Sequence, residues 1–176
     1  MLILLVILAI LAIPLTAAAF MDKQFTIEET ILIRKPLSEV FSYLKLLRNA
    51  ENYNKWVMTD PKLQKEFSGT DGTVGFIYRW KSDMKQVGQG EQEIKQIIEG
   101  DRIDYEIRFI KPFSGTSVSS LLTQPAGNGQ TEVTWTFSGT RNYVMCLFHL
   151  LFNLSSALSK DLQTSLQNLK QQIEKN

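Results

Sequence analysis

The chain has 176 residues, with 19 Lys and Arg against 18 Asp and Glu, for a formal net charge of +1. That balance, with no basic run, argues against a charge-driven nucleic-acid binder and supplies no field for an acidic substrate. A single cysteine, Cys146, and a single histidine, His149, exclude an intrachain disulfide and a Cys/His zinc site, and no cofactor is called for.

Met1 to Phe20 carries no charged side chain. As a helix rising ~1.5 Å per residue, Leu2 to Phe20 would span roughly 28 Å, against a bilayer core of about 30 Å. The expectation is an uncleaved single-pass anchor kinked at Pro14, which would place the protein at a membrane. The alternative is a signal peptide cut near Ala17 and Ala19, which would export the domain, although a basic n-region is missing. Lys23, Arg34 and Lys35 follow the segment, and the positive-inside tendency would then leave the domain in the cytoplasm. A buried soluble helix fits worst, because the segment has no polar face. The expected division is residues 1–20 as anchor or signal and 25–174 as one domain, large enough for a sizeable core.

Phe25 to Ile33 alternates, with Phe25, Ile27, Ile31 and Ile33 on one parity, and reads as a half-buried strand. Lys35-Pro36 ends it, and Pro36 suits the first turn of a helix. Glu39 to Arg48 is the expected short helix, with Val40, Phe41, Leu44 and Leu47 on one face. Asn49 to Asp60 is turn-rich and holds Tyr53 and Trp56, and Gly69 to Gly72 signals a loop. Five further strands are expected at Thr73–Ser82, Val87–Glu99, Arg102–Lys111, Thr116–Gln124 and Thr131–Thr140, separated by short turns. Leu151, Leu154, Leu158, Leu162, Leu166, Leu169 and Ile173 then recur at spacings of three and four, one stripe of a long helix. Strand, short helix, strand meander and long helix make an α+β domain: a curved antiparallel sheet of six to seven strands wrapped around the C-terminal helix.

The inward parity of the sheet is aromatic. Phe76, Tyr78 and Trp80 share one strand face, Tyr105, Ile107 and Phe109 another, and Val133, Trp135 and Phe137 a third. These rings either pack as core or line a pocket between sheet and helix. Tyr78 and Trp80 each carry a polar group that needs a partner when buried.

In their order, several stretches resemble the START and polyketide-cyclase-like (SRPBCC) superfamily, whose helix-grip fold is shared with the major birch-pollen allergen. They are Ile33-Arg34-Lys35-Pro36 with Val40-Phe41, Asn52-Tyr53 through Trp56, Gly72-Thr73-Val74-Gly75 leading into Tyr78-Arg79-Trp80, and Val87-Gly88-Gln89-Gly90-Glu91. Ile110-Lys111-Pro112-Phe113, Thr131-Glu132-Val133-Thr134-Trp135 and Leu166-Gln167-Asn168-Leu169-Lys170 complete the likeness, which covers roughly Phe25 to Ile173. The resemblance implies an apolar cavity between sheet and helix that binds lipids, isoprenoids, polyketides or similar molecules. It does not imply catalysis.

The expected function is therefore a membrane-anchored binding domain for a hydrophobic small molecule. Its expected lining is Trp56, Phe76, Tyr78, Trp80, Tyr105, Ile107, Phe109, Trp135, Phe137, Leu154 and Leu158. The expected partners are that molecule and the membrane, not nucleic acid. A cyclase- or hydrolase-type enzyme using His149, Tyr78 or Glu91 is the alternative, and a structural domain with a filled interior is a third reading. Ser117, Ser119 and Ser120 have no base beside them, so no nucleophilic triad is expected. Val144, Leu147, Phe148, Leu151 and Phe152 are read as a possible apolar lip at the cavity mouth.

Overall fold

The computed structural model describes residues 12–175. Residues 12–20 are helical (α1). Strand β1 (Gln24–Ile33) leads to helix α2 (Leu37–Lys45), a 3-10 turn (Leu47–Asn52) and the short helix α3 (Lys55–Thr59). Strands β2 (Gln64–Ser68), β3 (Ile77–Lys81), β4 (Gln89–Ile98), β5 (Arg102–Lys111), β6 (Gly115–Pro125) and β7 (Thr131–Thr140) follow. Helices α4 (Tyr143–Phe152) and α5 (Leu154–Glu174) complete the described chain. The expected helix-grip α+β architecture is what forms.

The seven strands make one sheet in the order β1-β7-β6-β5-β4-β3-β2, antiparallel throughout. The alternation that marked each strand sends one parity toward α5. Across the sheet Ile27 pairs with Phe137, Phe137 with Ser119 and Ser119 with Tyr105, so these residues share that face. Register shifts interrupt the β4–β5 ladder at Gln89/Gly90 and Ile94/Gln96. Such bulges bend a strand and raise its twist, which helps the sheet curve.

Helix α5 fills only part of the concave face. Leu162, Leu166, Leu169 and Ile173 are buried there with Phe41, Leu44, Phe76, Ile94, Ile103, Leu121 and Val133. Nearer its start, Leu154 and Leu158 are only half-buried. Polar clamps hold the helix in place. The Gln163 side-chain amide donates to Glu29 at 2.7 Å, and the Ser159 hydroxyl donates to the same carboxylate. The Arg34 backbone N–H donates to Glu174 at 2.7 Å, fixing the far end.

Three expectations change. The leucine stripe is not one helix: Asn153 adopts the left-handed conformation (φ 48°, ψ 48°) and separates α4 from α5. Asn tolerates that region better than other side chains because its short amide can hydrogen-bond locally. Strand β2 has an almost wholly exposed side-chain pattern, as suits an edge. The third change is the membrane anchor. Among the described residues no helix is long and apolar enough to cross a membrane, which overturns the membrane localisation expected from Met1–Phe20. Residues 1–11 of that segment lie outside the described residues. Residues 12–20 instead contact the domain, with the Tyr143 hydroxyl donating to the Leu15 carbonyl at 2.9 Å and Ala18 buried.

Because α5 supplies the centre of the core, Leu169→Ala is expected to destabilise the protein by about 2–5 kcal/mol, the range for truncating a fully buried leucine. Urea unfolding checks this. Leu154→Ala, at a half-buried position on the same stripe, should cost distinctly less.

Candidate functional site

Where α5 leaves the sheet uncovered, a cavity of about 260 Å³ opens between the first half of the helix, α3, the β3–β4 turn and the middle of the sheet. Its walls bring together Trp56, Tyr78, Trp80, Ile107, Phe109, Trp135, Phe137 and Leu158 from the expected lining. Every tryptophan in the chain is among them. Phe76, Tyr105 and Leu154 do not line it. Phe76 and Tyr105 are buried in the core cluster, on the correct sheet face but at the end that α5 closes.

Aromatic geometry sets the wall. Tyr78 stacks on Phe67 with centroids 5.3 Å apart and lies 6.0 Å from Trp80, which meets Phe109 edge-on at 6.1 Å. The Trp80 indole packs against Gly90, where an added Cβ would fall 2.5 Å from the ring. Gly90 thus sets how deep the indole sits. The Trp80 indole N–H donates to the Val87 carbonyl at 3.2 Å. The Trp135 N–H donates to the Ser119 hydroxyl at 2.8 Å, which donates on to the Thr136 carbonyl at 2.9 Å. Tyr78 differs: its hydroxyl is buried and has no hydrogen-bond partner among the described residues. Burial first, and the charge of Glu51 second, push that phenol well above its ordinary pKa, so it stays protonated.

Helix α3 closes one side. The Asn54 side-chain oxygen accepts from the Trp56 backbone N–H at 3.0 Å and caps it. The Lys55 backbone N–H donates to Ser165 of α5 at 3.0 Å, and the Lys55 ammonium pairs with Asp161. These bonds place Trp56 and Val57 against the opening. A second latch joins the turn after α3 to the turn after β3. The Ser82 hydroxyl donates to Asp60 at 2.5 Å, and the Lys62 backbone N–H donates to its other oxygen at 2.8 Å. These two bonds, the Ser82 bond foremost, hold the Asp60 carboxyl below its ordinary pKa of 3.8.

Sequence reasoning missed Asn54, Val57, Leu63, Gln86, Val87, Gln92 and Ser119, which also line the cavity. The signal for Gln92 was present. Glu91 and Glu93 share the outward parity of β4, so Gln92 between them must face inward, directly opposite Tyr78 in the β3–β4 register.

Of His149, Tyr78 and Glu91, only Tyr78 is on the wall, and Ser119, also on the wall, has its hydroxyl engaged by Trp135 and the Thr136 carbonyl rather than by a base. Glu91 lies on the other face, bonded to Arg108 at 2.6 Å and Arg79 at 2.9 Å, and those bonds, Arg108 first, lower its pKa. His149 lies on the buried face of α4, with Nδ1 3.2 Å from the Ser155 hydroxyl and its ring 5.4 Å from Phe25. Burial first, and Arg141 second, push its pKa below the usual imidazole value. The supposed lip residues also miss the cavity: Val144, Phe148, Leu151 and Phe152 are exposed on α4, and no α4 residue lines it.

The family model described as polyketide cyclase / dehydrase and lipid transport matches residues 24–174. The chain belongs to that family. Its match spans all seven strands and both C-terminal helices. Solved structures share the fold at low identity. Norcoclaurine synthase from Thalictrum flavum, in complex with dopamine and hydroxybenzaldehyde, has a TM-score of 0.65 and 9% identity over 87% of this chain and 88% of that one. A protein from Mesorhizobium loti gives 0.63 at 16% identity over 86% and 98%. Ara h 8.0201 gives 0.61 at 14% identity over 87% and 99%. No curated protein sequence compared with the chain matches it.

The Asp60 latch carries a pH dependence. Its pKa is depressed in the folded state, so its stabilisation is complete above 3.8 and is lost as pH falls through the lower folded value. Asp60→Ala should lower the urea midpoint at pH 7, and the gap from the parent protein should shrink as pH falls toward 3.

Proposed function

We propose that this chain is a binding protein that holds a hydrophobic small molecule in the cavity between α5 and the sheet. The observation that carries the reading is the wall itself: mainly aromatic and aliphatic side chains from α3, α5 and strands β3, β5 and β7, joined by the uncharged Asn54, Gln86, Gln92 and Ser119, with no Asp, Glu, Lys, Arg or His among them. Burial of apolar ligand surface at ~25 cal/mol per Å² would give gross favourable energy without many polar contacts. The family description, which includes lipid transport as well as cyclase and dehydrase chemistry, agrees with such a binder. So does the synthase of the same fold, solved with two small ring-bearing molecules.

Tyr78 is not poised as a general base. A general base works best with a pKa near the operating pH. The Tyr78 phenol is shifted in the opposite direction.

Trp56, Trp80 and Trp135 all line the cavity, so their fluorescence should report occupancy. N-phenyl-1-naphthylamine, a neutral apolar probe, is expected to quench it saturably while its own emission rises. Ile107→Trp, which projects a larger ring from the wall, should weaken binding by about tenfold or more, as loss of ~1.4 kcal/mol or more would. Absence of saturable quenching in the parent protein, or undiminished binding by a folded Ile107→Trp variant, would sink the proposal.

A further inference from the structure

Resting on the binding reading above, the polar atoms of the wall narrow the class of ligand. Several are already engaged. Ser119 and the indoles of Trp80 and Trp135 have protein partners, and the Asn54 oxygen caps α3. Gln86, also on the wall, is exposed to solvent, and the Asn54 amide nitrogen lies on α3's side; two further groups leave the sheet itself. The Tyr78 hydroxyl is buried without a partner among the described residues, and the side-chain amide of Gln92, the residue paired with Tyr78, makes no hydrogen bond among them. Their backbones are paired across β3 and β4, so the two side chains leave neighbouring points on one face. Tyr105 also has an unpartnered hydroxyl, but it is not on the wall.

A buried hydroxyl left unbonded has given up its water and gained nothing in return. A ligand oxygen beside Tyr78 and Gln92 would remove that cost. A charged ligand would instead lose its hydration with no ionised side chain on the wall to replace it, a far larger penalty. Size sets a further limit: about 260 Å³ falls just below the ~300–1,000 Å³ of typical ligand pockets. That suits one or two rings and is too small for a two-chain lipid.

We propose that the cavity takes an uncharged amphiphile of one or two fused rings, a phenol, alcohol or ketone, whose one polar oxygen accepts a hydrogen bond from the Tyr78 hydroxyl beside the Gln92 amide. The rest of the molecule lies among Trp80, Phe109, Phe137 and Leu158.

The test is displacement of N-phenyl-1-naphthylamine at pH 7 by four probes matched in shape: naphthalene, 1-naphthol, 1-naphthoate and 1-naphthylmethylamine. The expected order places 1-naphthol first. Its advantage over naphthalene should be about 3- to 10-fold, as one added hydrogen bond contributes. The anion and the cation should be weakest, by roughly 100-fold or more relative to 1-naphthol. Tyr78→Phe should erase the advantage of 1-naphthol over naphthalene while leaving the urea midpoint of the free protein unchanged or raised, because an unbonded buried hydroxyl is removed. Gln92→Leu should reduce the same advantage. Equal binding of all four probes, or preference for a charged one, overturns this inference while the binding reading stands. So does a Tyr78→Phe variant that keeps the 1-naphthol preference or is destabilised. If neither the reporter nor any naphthalene binds, the binding reading fails and this inference falls with it.

Discussion

The structure depends on an uneven contact: α5 is wider in its apolar reach at one end than at the other. Leu162, Leu166, Leu169 and Ile173 are buried against the sheet, each contributing roughly 1.5–3 kcal/mol by leaving water. One and two turns earlier the stripe continues as Leu158 and Leu154, but the sheet there faces a cavity rather than a packed layer. The same helix therefore closes the core and opens the site. Glu29, Arg34 and Glu174 hold it in register so that the transition falls at Leu158.

That division explains why one parity of the sheet serves two purposes. Phe76, Ile94, Ile103, Leu121 and Val133 are fully buried structural residues. Trp80, Ile107, Phe109 and Phe137 point from the same face but border the cavity. The bonds from α3 to α5 and from Asp60 to Ser82 fix the remaining sides. Rigid indoles, each with its N–H engaged at Trp80 and Trp135, keep the wall from collapsing inward.

Much of this was legible in the sequence, for a definite reason. Period-two alternation fixes the face of a strand, so the aromatic inner surface could be read before any coordinates. Alternation does not say how far along that face a helix reaches. Phe76 and Tyr105 were therefore grouped with the cavity, although they lie under the closed end. Gln64–Ser68 escaped notice because an exposed edge strand carries no alternating apolar signal. The break at Asn153 was hidden because leucines continue at helical spacing on both sides of it. At the N-terminus, hydropathy alone favoured a membrane span, whereas the described residues 12–20 lie against α4 through Tyr143.

The antiparallel pairing of β1 with β7 has a consequence for synthesis. Gln24 meets Thr140 across that ladder, so the first strand must wait for more than a hundred residues before its neighbour exists. The helix that covers both is translated later still. At ~5–20 residues per second, a nascent chain would present its ring-rich concave surface for several seconds with nothing to cover it. In that interval the rings are open to non-native apolar contacts that the finished helix excludes.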